Sequence, residues 1–158
     1  MLLIPTLAVV GLYDARCGAD GSCRLVDQVR GTEVVWASQQ KWASDWFAER
    51  RVGESGAACD FARAACDDAV PGVVEALIAL AETAGGDEDL LSMVGAGPIE
   101  DLVSHSGNGV AVLPAVDRAA RRNIAFRAAL RFVWVGADLP TAVKVRLVEL
   151  GARALDES

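Results

Sequence analysis

Histidine and proline are scarce in this 158-residue chain, at one and five residues, and each scarcity removes a class of explanation. A single imidazole, His105, makes a histidine-rich metal centre or a Cys/His nucleophile pair hard to assemble. No His-Glu-x-x-His run, Gly-x-Ser-x-Gly elbow, P-loop or Gly-x-Gly-x-x-Gly turn occurs. Few prolines, beside 53% hydrophobic and 23% charged residues, exclude a disordered chain. No apolar run reaches the ~20 residues of a membrane span. Positive charge is also short. Fifteen Lys and Arg face 22 Asp and Glu, for a net charge of −7, so no global positive field draws nucleic acid. The acidity is spread evenly, with 7 basic and 11 acidic side chains over 1–79 and 8 and 11 over 80–158.

What is present is alanine-rich and helical in pattern. We expect one domain, residues 1–158, mainly α, built as stacked helical hairpins or an irregular helical bundle. An atypical element at 1–31 precedes a helical core at 32–158. Residues 1–12 form an apolar run that Pro5 interrupts; without a leading Lys or Arg it reads as a buried strand or helix rather than a targeting segment. Gly18-Ala19-Asp20-Gly21-Ser22 then reads as the loop of a small β-hairpin. Thr32 can cap a helix to about Arg50, on which Val35, Trp42 and Trp46 form one stripe and Trp36, Ala43 and Phe47 the next. Lys41, Asp45 and Glu49 lie on its wet side.

Further helices are expected at about 57–69, from Pro71 to Ala84, and from Asp87 to Gly95, whose leading acids suit the helix dipole. Others follow at 98–104, 110–122 and 124–135, where Phe126, Leu130, Val133 and Trp134 face inward. Pro140 starts the last, burying Val143, Leu147 and Leu150. No internal repeat supports a solenoid.

Gly95-Ala96-Gly97-Pro98-Ile99-Glu100-Asp101 invites a phosphate-loop reading, because glycines before a helix expose amides. Its charges argue otherwise: Glu100 and Asp101 occupy the first turn and would repel an anion. The segment is expected to be a corner between two short helices, with Pro98 preorganising the second. Asp101 and His105, four apart, share a helical face, with Glu100 beside them. These three are the candidate catalytic residues, as a general base oriented by a carboxylate in a hydrolase-type enzyme. A helix-end ion pair is the plainer reading of the same residues.

Cys17, Cys23, Cys59 and Cys66 contain no Cys-x-x-Cys pair, so no zinc knuckle is indicated. Cys17 and Cys23 flank the hairpin loop and can meet across it. Cys59 and Cys66 share a helix face, too far apart to bridge. Free thiols in a cytoplasmic protein, with neither metal nor cofactor, are expected. Arg118, Arg121, Arg122, Arg127 and Arg131 make the one basic concentration, a possible interaction surface. Because aromatics are not interleaved on its exposed face, it does not read as a nucleic-acid groove.

Two stretches carry a resemblance. Gly95-Ala96-Gly97-Pro98-Ile99-Glu100-Asp101-Leu102-Val103 and Phe126-Arg127-Ala128-Ala129-Leu130-Arg131-Phe132-Val133-Trp134 resemble a (G/A)AGP(L/I)EDL(L/V) … FRxAL…VW pattern. That pattern belongs to an uncharacterised bacterial family of small helical domains. The resemblance covers residues from about 71 to 135 and implies a helical fold, but no activity or catalytic residue. The N-terminal third departs from it. Together these features lead us to expect a non-enzymatic module that binds another protein, for which an immunity or antitoxin role is an analogy.

Overall fold

A computed structural model of the protein describes residues 12–105 and 107–154, so the apolar run at 1–12 falls almost wholly outside the described residues. The protein is mainly α-helical with a small antiparallel sheet near its N-terminal end. Strands β1 (Tyr13–Cys17), β2 (Cys23–Asp27) and β3 (Thr32–Trp36) pair in that order. The first hairpin turns where expected. Asp20 closes it by accepting from the Ser22 amide at 3.0 Å and the Ser22 hydroxyl at 2.7 Å. Asp27 does the same for the second hairpin, accepting from the amides of Val29 and Arg30, both at 3.0 Å.

β3 corrects the expected helix from Thr32. Thr32, Val34 and Val35 are β-branched, stiff at χ1, and fit an open edge of β2 better than a helical turn. Val35 is therefore 56% exposed, while Trp36 turns inward from the sheet at 4%. The helix begins six residues later. Ser38 caps α1 (Gln39–Val52) by accepting from the Lys41 amide at 3.1 Å.

Trp42, Trp46 and Phe47 are buried on α1 as their spacing predicts. They pack on α2 (Ala57–Asp67), where Phe61 meets Trp42 and Trp36 edge-on at ring distances of 5.2 and 5.6 Å. The indole N–H of Trp42 donates to the Ala58 carbonyl at 3.0 Å, and that of Trp36 to Asp45 at 2.9 Å. Both polar edges are thereby satisfied.

α3 (Val73–Ala84) follows Pro71 and is buried on most of its circumference by Val73, Val74, Ala76, Leu77, Leu80 and Ala81. Asp87 caps α4 (Glu88–Val94) through the amides of Asp89 and Leu90. α4 does not end at Gly95. It runs through a single π turn, Gly95–Ile99, into α5 (Glu100–Ser104), and the expected corner between two helices is absent.

Two residues explain the π turn. A proline ring inside a helix clashes with the carbonyl four residues back and removes an amide. Widening the turn around Pro98, so that the Glu100 amide reaches the Gly95 carbonyl, relieves the clash while the chain keeps its helical direction. Gly95 lets a neighbour approach. A Cβ there would fall on the Ala129 carbonyl oxygen and lie 2.9 Å from the Phe132 Cβ.

α6 (Asn108–Arg122) and α7 (Ile124–Leu130) meet at Asn123. The expected helix through Val135 stops at Leu130. Trp134–Val135 instead forms β4, parallel to β5 (Arg153–Ala154), and Trp134 is 39% exposed rather than inward. The Arg153 amide reaches the Val133 carbonyl at 2.8 Å, a long-range bond that no helical periodicity announces. Between the two strands runs α8 (Thr141–Glu149), with Val143, Leu147 and Leu150 buried as expected. One cluster of buried residues extends from Ala15 to Ala152. Among the described residues, no helix is long and apolar enough to cross a membrane.

Candidate functional site

The three candidate catalytic residues part company on α5. Glu100 turns towards the chain end, where its Oε1 accepts the Trp134 amide at 2.8 Å and holds the start of β4. Burial raises its carboxyl above the usual value, against the opposing pull of that amide. Asp101, one residue on and about 100° around the helix, faces α2 instead. Partial burial raises its carboxyl, Asp67 adds to the rise, and Arg63 and His105 act against it. The imidazole Nδ1 of His105 lies 3.5 Å from Asp67 Oδ1, with both side chains well exposed.

This arrangement allows an imidazole–carboxylate pair at the α2–α5 seam. Asp101 does line a small cleft of about 90 Å³ with Trp46, Arg50, Cys59, Arg63 and the π turn. Neither Glu100 nor His105 lines it. Among the described residues, no group of three or more His, Cys, Asp or Glu side chains could hold a metal ion.

The arginine concentration is better organised. Asn123 fixes the angle between α6 and α7: its side-chain oxygen accepts the Phe126 amide at 2.8 Å, and its amide group donates to Glu82 at 3.2 Å. Arg118 and Arg122 on α6 line a groove of about 240 Å³ against α3, with Val74 and Ile78 in its floor. Arg127 on α7 and Arg131 just past its end line a second groove, of about 370 Å³, against Leu150 and Gly151 at the end of α8. Ile124 stands at the rim of that second groove, 89% exposed.

Two of the five arginines are engaged. Arg121 bonds Asp117 at 2.9 Å, and Arg131 lies 3.6 Å from Glu88. Among the described residues, no ion pair or hydrogen bond engages the side chains of Arg118, Arg122 or Arg127. The stripe read from the sequence is thus two neighbouring surfaces joined at a corner.

Three polar arrangements escaped the sequence reading. Glu49, placed on the wet side of α1, instead accepts the amides of Gly56, Ala58 and Cys59, each at 2.9 Å, and caps α2 from another element. Its spacing from Lys41 and Asp45 disguised this. Arg146 of α8 grips both oxygens of Asp117 at 2.8 and 2.9 Å, tying α8 to α6. The Asn108 amide group donates to the last carbonyls of α2, Cys66 and Asp67, at 2.9 and 3.1 Å. Each joins two different elements, the last two across 29 to 42 residues, so no helical spacing marks it.

No curated protein and no solved structure matches the chain. One family model does: a family of unknown function, DUF6869, matches residues 58–154. The match encloses α2, the π turn, both arginine grooves and β5, and leaves out the three-stranded sheet and α1. The chain belongs to this family of unknown function, DUF6869.

Proposed function

We propose that the protein is a non-enzymatic binding module that recognises an acidic segment of another protein through the α6–α7 face. The observation that carries this reading is Ile124, a large aliphatic side chain left 89% exposed at the corner between two arginine-lined grooves. Arg118 to Ala137 contains five arginines and no acid, in a chain whose net charge is −7. A local field opposite in sign to the rest of the surface favours one partner orientation and speeds its approach. Aliphatic surface beside guanidinium groups suits a partner with acidic and apolar residues interspersed. An immunity- or antitoxin-like role in the cytoplasm belongs to this proposal.

The hydrolase alternative draws less support, because Glu100 is committed to the Trp134 amide and the Asp101 cleft excludes His105.

The test is a titration of a fluorescent peptide of alternating Glu and Leu, followed by anisotropy at low and moderate salt. Arg118→Glu, Arg122→Glu and Arg127→Glu together should weaken binding at least about tenfold, and Ile124→Asp alone should weaken it several-fold. Arg50→Glu with Arg51→Glu, on a different helix, should leave it unchanged. Equal binding by all variants, or none by the wild type, overturns the proposal.

A further inference from the structure

The two thiols of the first hairpin are placed for chemistry that the rest of the protein does not use. β1 and β2 are in register with Cys17 directly opposite Cys23. The Gly18 amide bonds the Ser22 carbonyl at 2.8 Å, and the Gln28 amide bonds the Leu12 carbonyl at 2.8 Å. Antiparallel pairs alternate, so both bonds make 17↔23 a non-hydrogen-bonded pair. Such pairs bring Cα atoms to about 4.5 Å, inside the span of about 4.4–6.8 Å that a disulfide bridges.

The two sulfurs are also unequal. Cys23 is fully buried, whereas Cys17 is half-buried and lines an open cleft of about 300 Å³ with Asp14, Arg16, Val70 and Pro71. Behind Cys17 stands Gly72, the residue before α3, in the left-handed region at φ 89°. A Cβ at Gly72 would lie 2.8 Å from the Cys17 Cβ and 3.6 Å from its Sγ. Only glycine lets the thiol sit this close to the start of α3.

We propose that Cys17 and Cys23 form a redox-active dithiol, with Cys17 as the attacking thiol towards a hydroperoxide and Cys23 as the resolving thiol. The Cys17 thiolate attacks the peroxide O–O bond. A bond forms from sulfur to the near oxygen, the far oxygen leaves as an alcohol or water after taking up a proton, and Cys17 becomes a sulfenic acid. The Cys23 sulfur then attacks Cys17. The S–S bond forms, the S–O bond breaks, and water leaves with the Cys23 proton. Two thiols lose two electrons and one peroxide gains them.

The ionisation of these groups follows the same division. A hydrogen bond from Cys23 lowers the Cys17 thiol against the upward effects of burial and Glu75, and that same bond raises Cys23. The other thiols are poorly poised for attack: burial pushes Cys59 up to about 11, and deeper burial pushes Cys66 up further.

The full chain offers a direct readout, because cleavage after Arg16 and Arg24 releases both thiols in one peptide, residues 17–24. Hydrogen peroxide is added to the native protein, followed by alkylation, trypsin and mass spectrometry. The peptide should resist alkylation, be lighter by two hydrogen atoms, and regain both alkylation sites after dithiothreitol. Free thiols should fall from four to two. In Cys23→Ser, Cys17 should be captured by dimedone as a sulfenic acid. The proposal is overturned if the wild-type peptide 17–24 stays fully alkylatable under peroxide, or if Cys59 is modified first.

Discussion

The half of the core under the sheet and the half around α3, α5 and α7 are built on opposite plans. Under the sheet, Trp36, Trp42, Trp46, Phe47 and Phe61 fill space with large rings, and the indole N–H groups of Trp36 and Trp42 are bonded. Around α3, the buried surface is Ala76, Ala79, Ala81, Ala84 and Ala129 with Leu77, Leu80, Ile99, Leu102 and Leu130, and backbones approach closely enough that Gly95 has no room for a Cβ. The first plan depends on volume being present and the second on volume being absent. Truncation should therefore wound one half, and enlargement the other.

The largest effect should come from Trp42→Ala, which empties the ring cluster and removes the indole bond to the Ala58 carbonyl. A loss of about 3–5 kcal/mol is expected in chemical denaturation. A loss below about 1 kcal/mol would mean that the rings are not the support of this half. Gly95→Ala is the complementary probe: one added methyl should cost about 1–3 kcal/mol, because it meets the α7 backbone rather than a mobile side chain. If Gly95→Ala proves neutral, the close approach of the π turn to α7 is not limiting.

Acid should act on the second half through Asp117. Arg146 and Arg121 hold its carboxyl down to about 2, below the ordinary 3.8. A depressed carboxyl contributes stability that is complete above the ordinary value and fades as pH falls towards 2. Urea unfolding from pH 5 to 2 should show the wild type losing its advantage over Asp117→Asn across that interval. A gap that is constant with pH would separate the contact from its charge.

The smallest effect compares two helix ends. α1 and α2 both close with a left-handed residue, Gly53 at φ 73° and Ala69 at φ 47°. After Ala69, the Val70 amide returns to the Ala65 carbonyl at 3.1 Å, as the Glu54 amide does to Glu49 at 3.1 Å. Alanine is strained in that conformation where glycine is not. Ala69→Gly should therefore raise stability by up to about 1 kcal/mol, measurable as a higher denaturant midpoint.

What could be read from the sequence was local. The GADGS loop, the span of α2, the acidic start of α4 near Asp87 and the start of α8 after Pro140 each follow from residues within one or two turns of chain. Trp36 was misplaced because a tryptophan spacing that fits a helix also fits a strand end followed by a cap, and pairing with β2 decided between them. Glu49 reads as an exposed acid and Glu100 as a first-turn acid or catalytic candidate, because their acceptor roles lie 7 to 10 residues away across a loop and 34 residues away at Trp134. The arginine face was visible as a charge pattern, but its division into two grooves depends on where α3 and α8 pack.

The π turn can also be understood as a counting device. Buried positions on this continuous helix run Leu91, Val94, Gly95, Pro98, Ile99, Leu102 and Val103, so one face stays covered through the widened turn. The widened turn takes one residue more than an α turn and so resets the phase of the helix downstream. The same reset aims Glu100 at β4 and Asp101 at α2. Deleting Ala96 would leave every side chain in place by name and move each downstream one by about 100°. In this stretch the length of the chain, as much as its composition, carries the instruction for which carboxylate faces which neighbour.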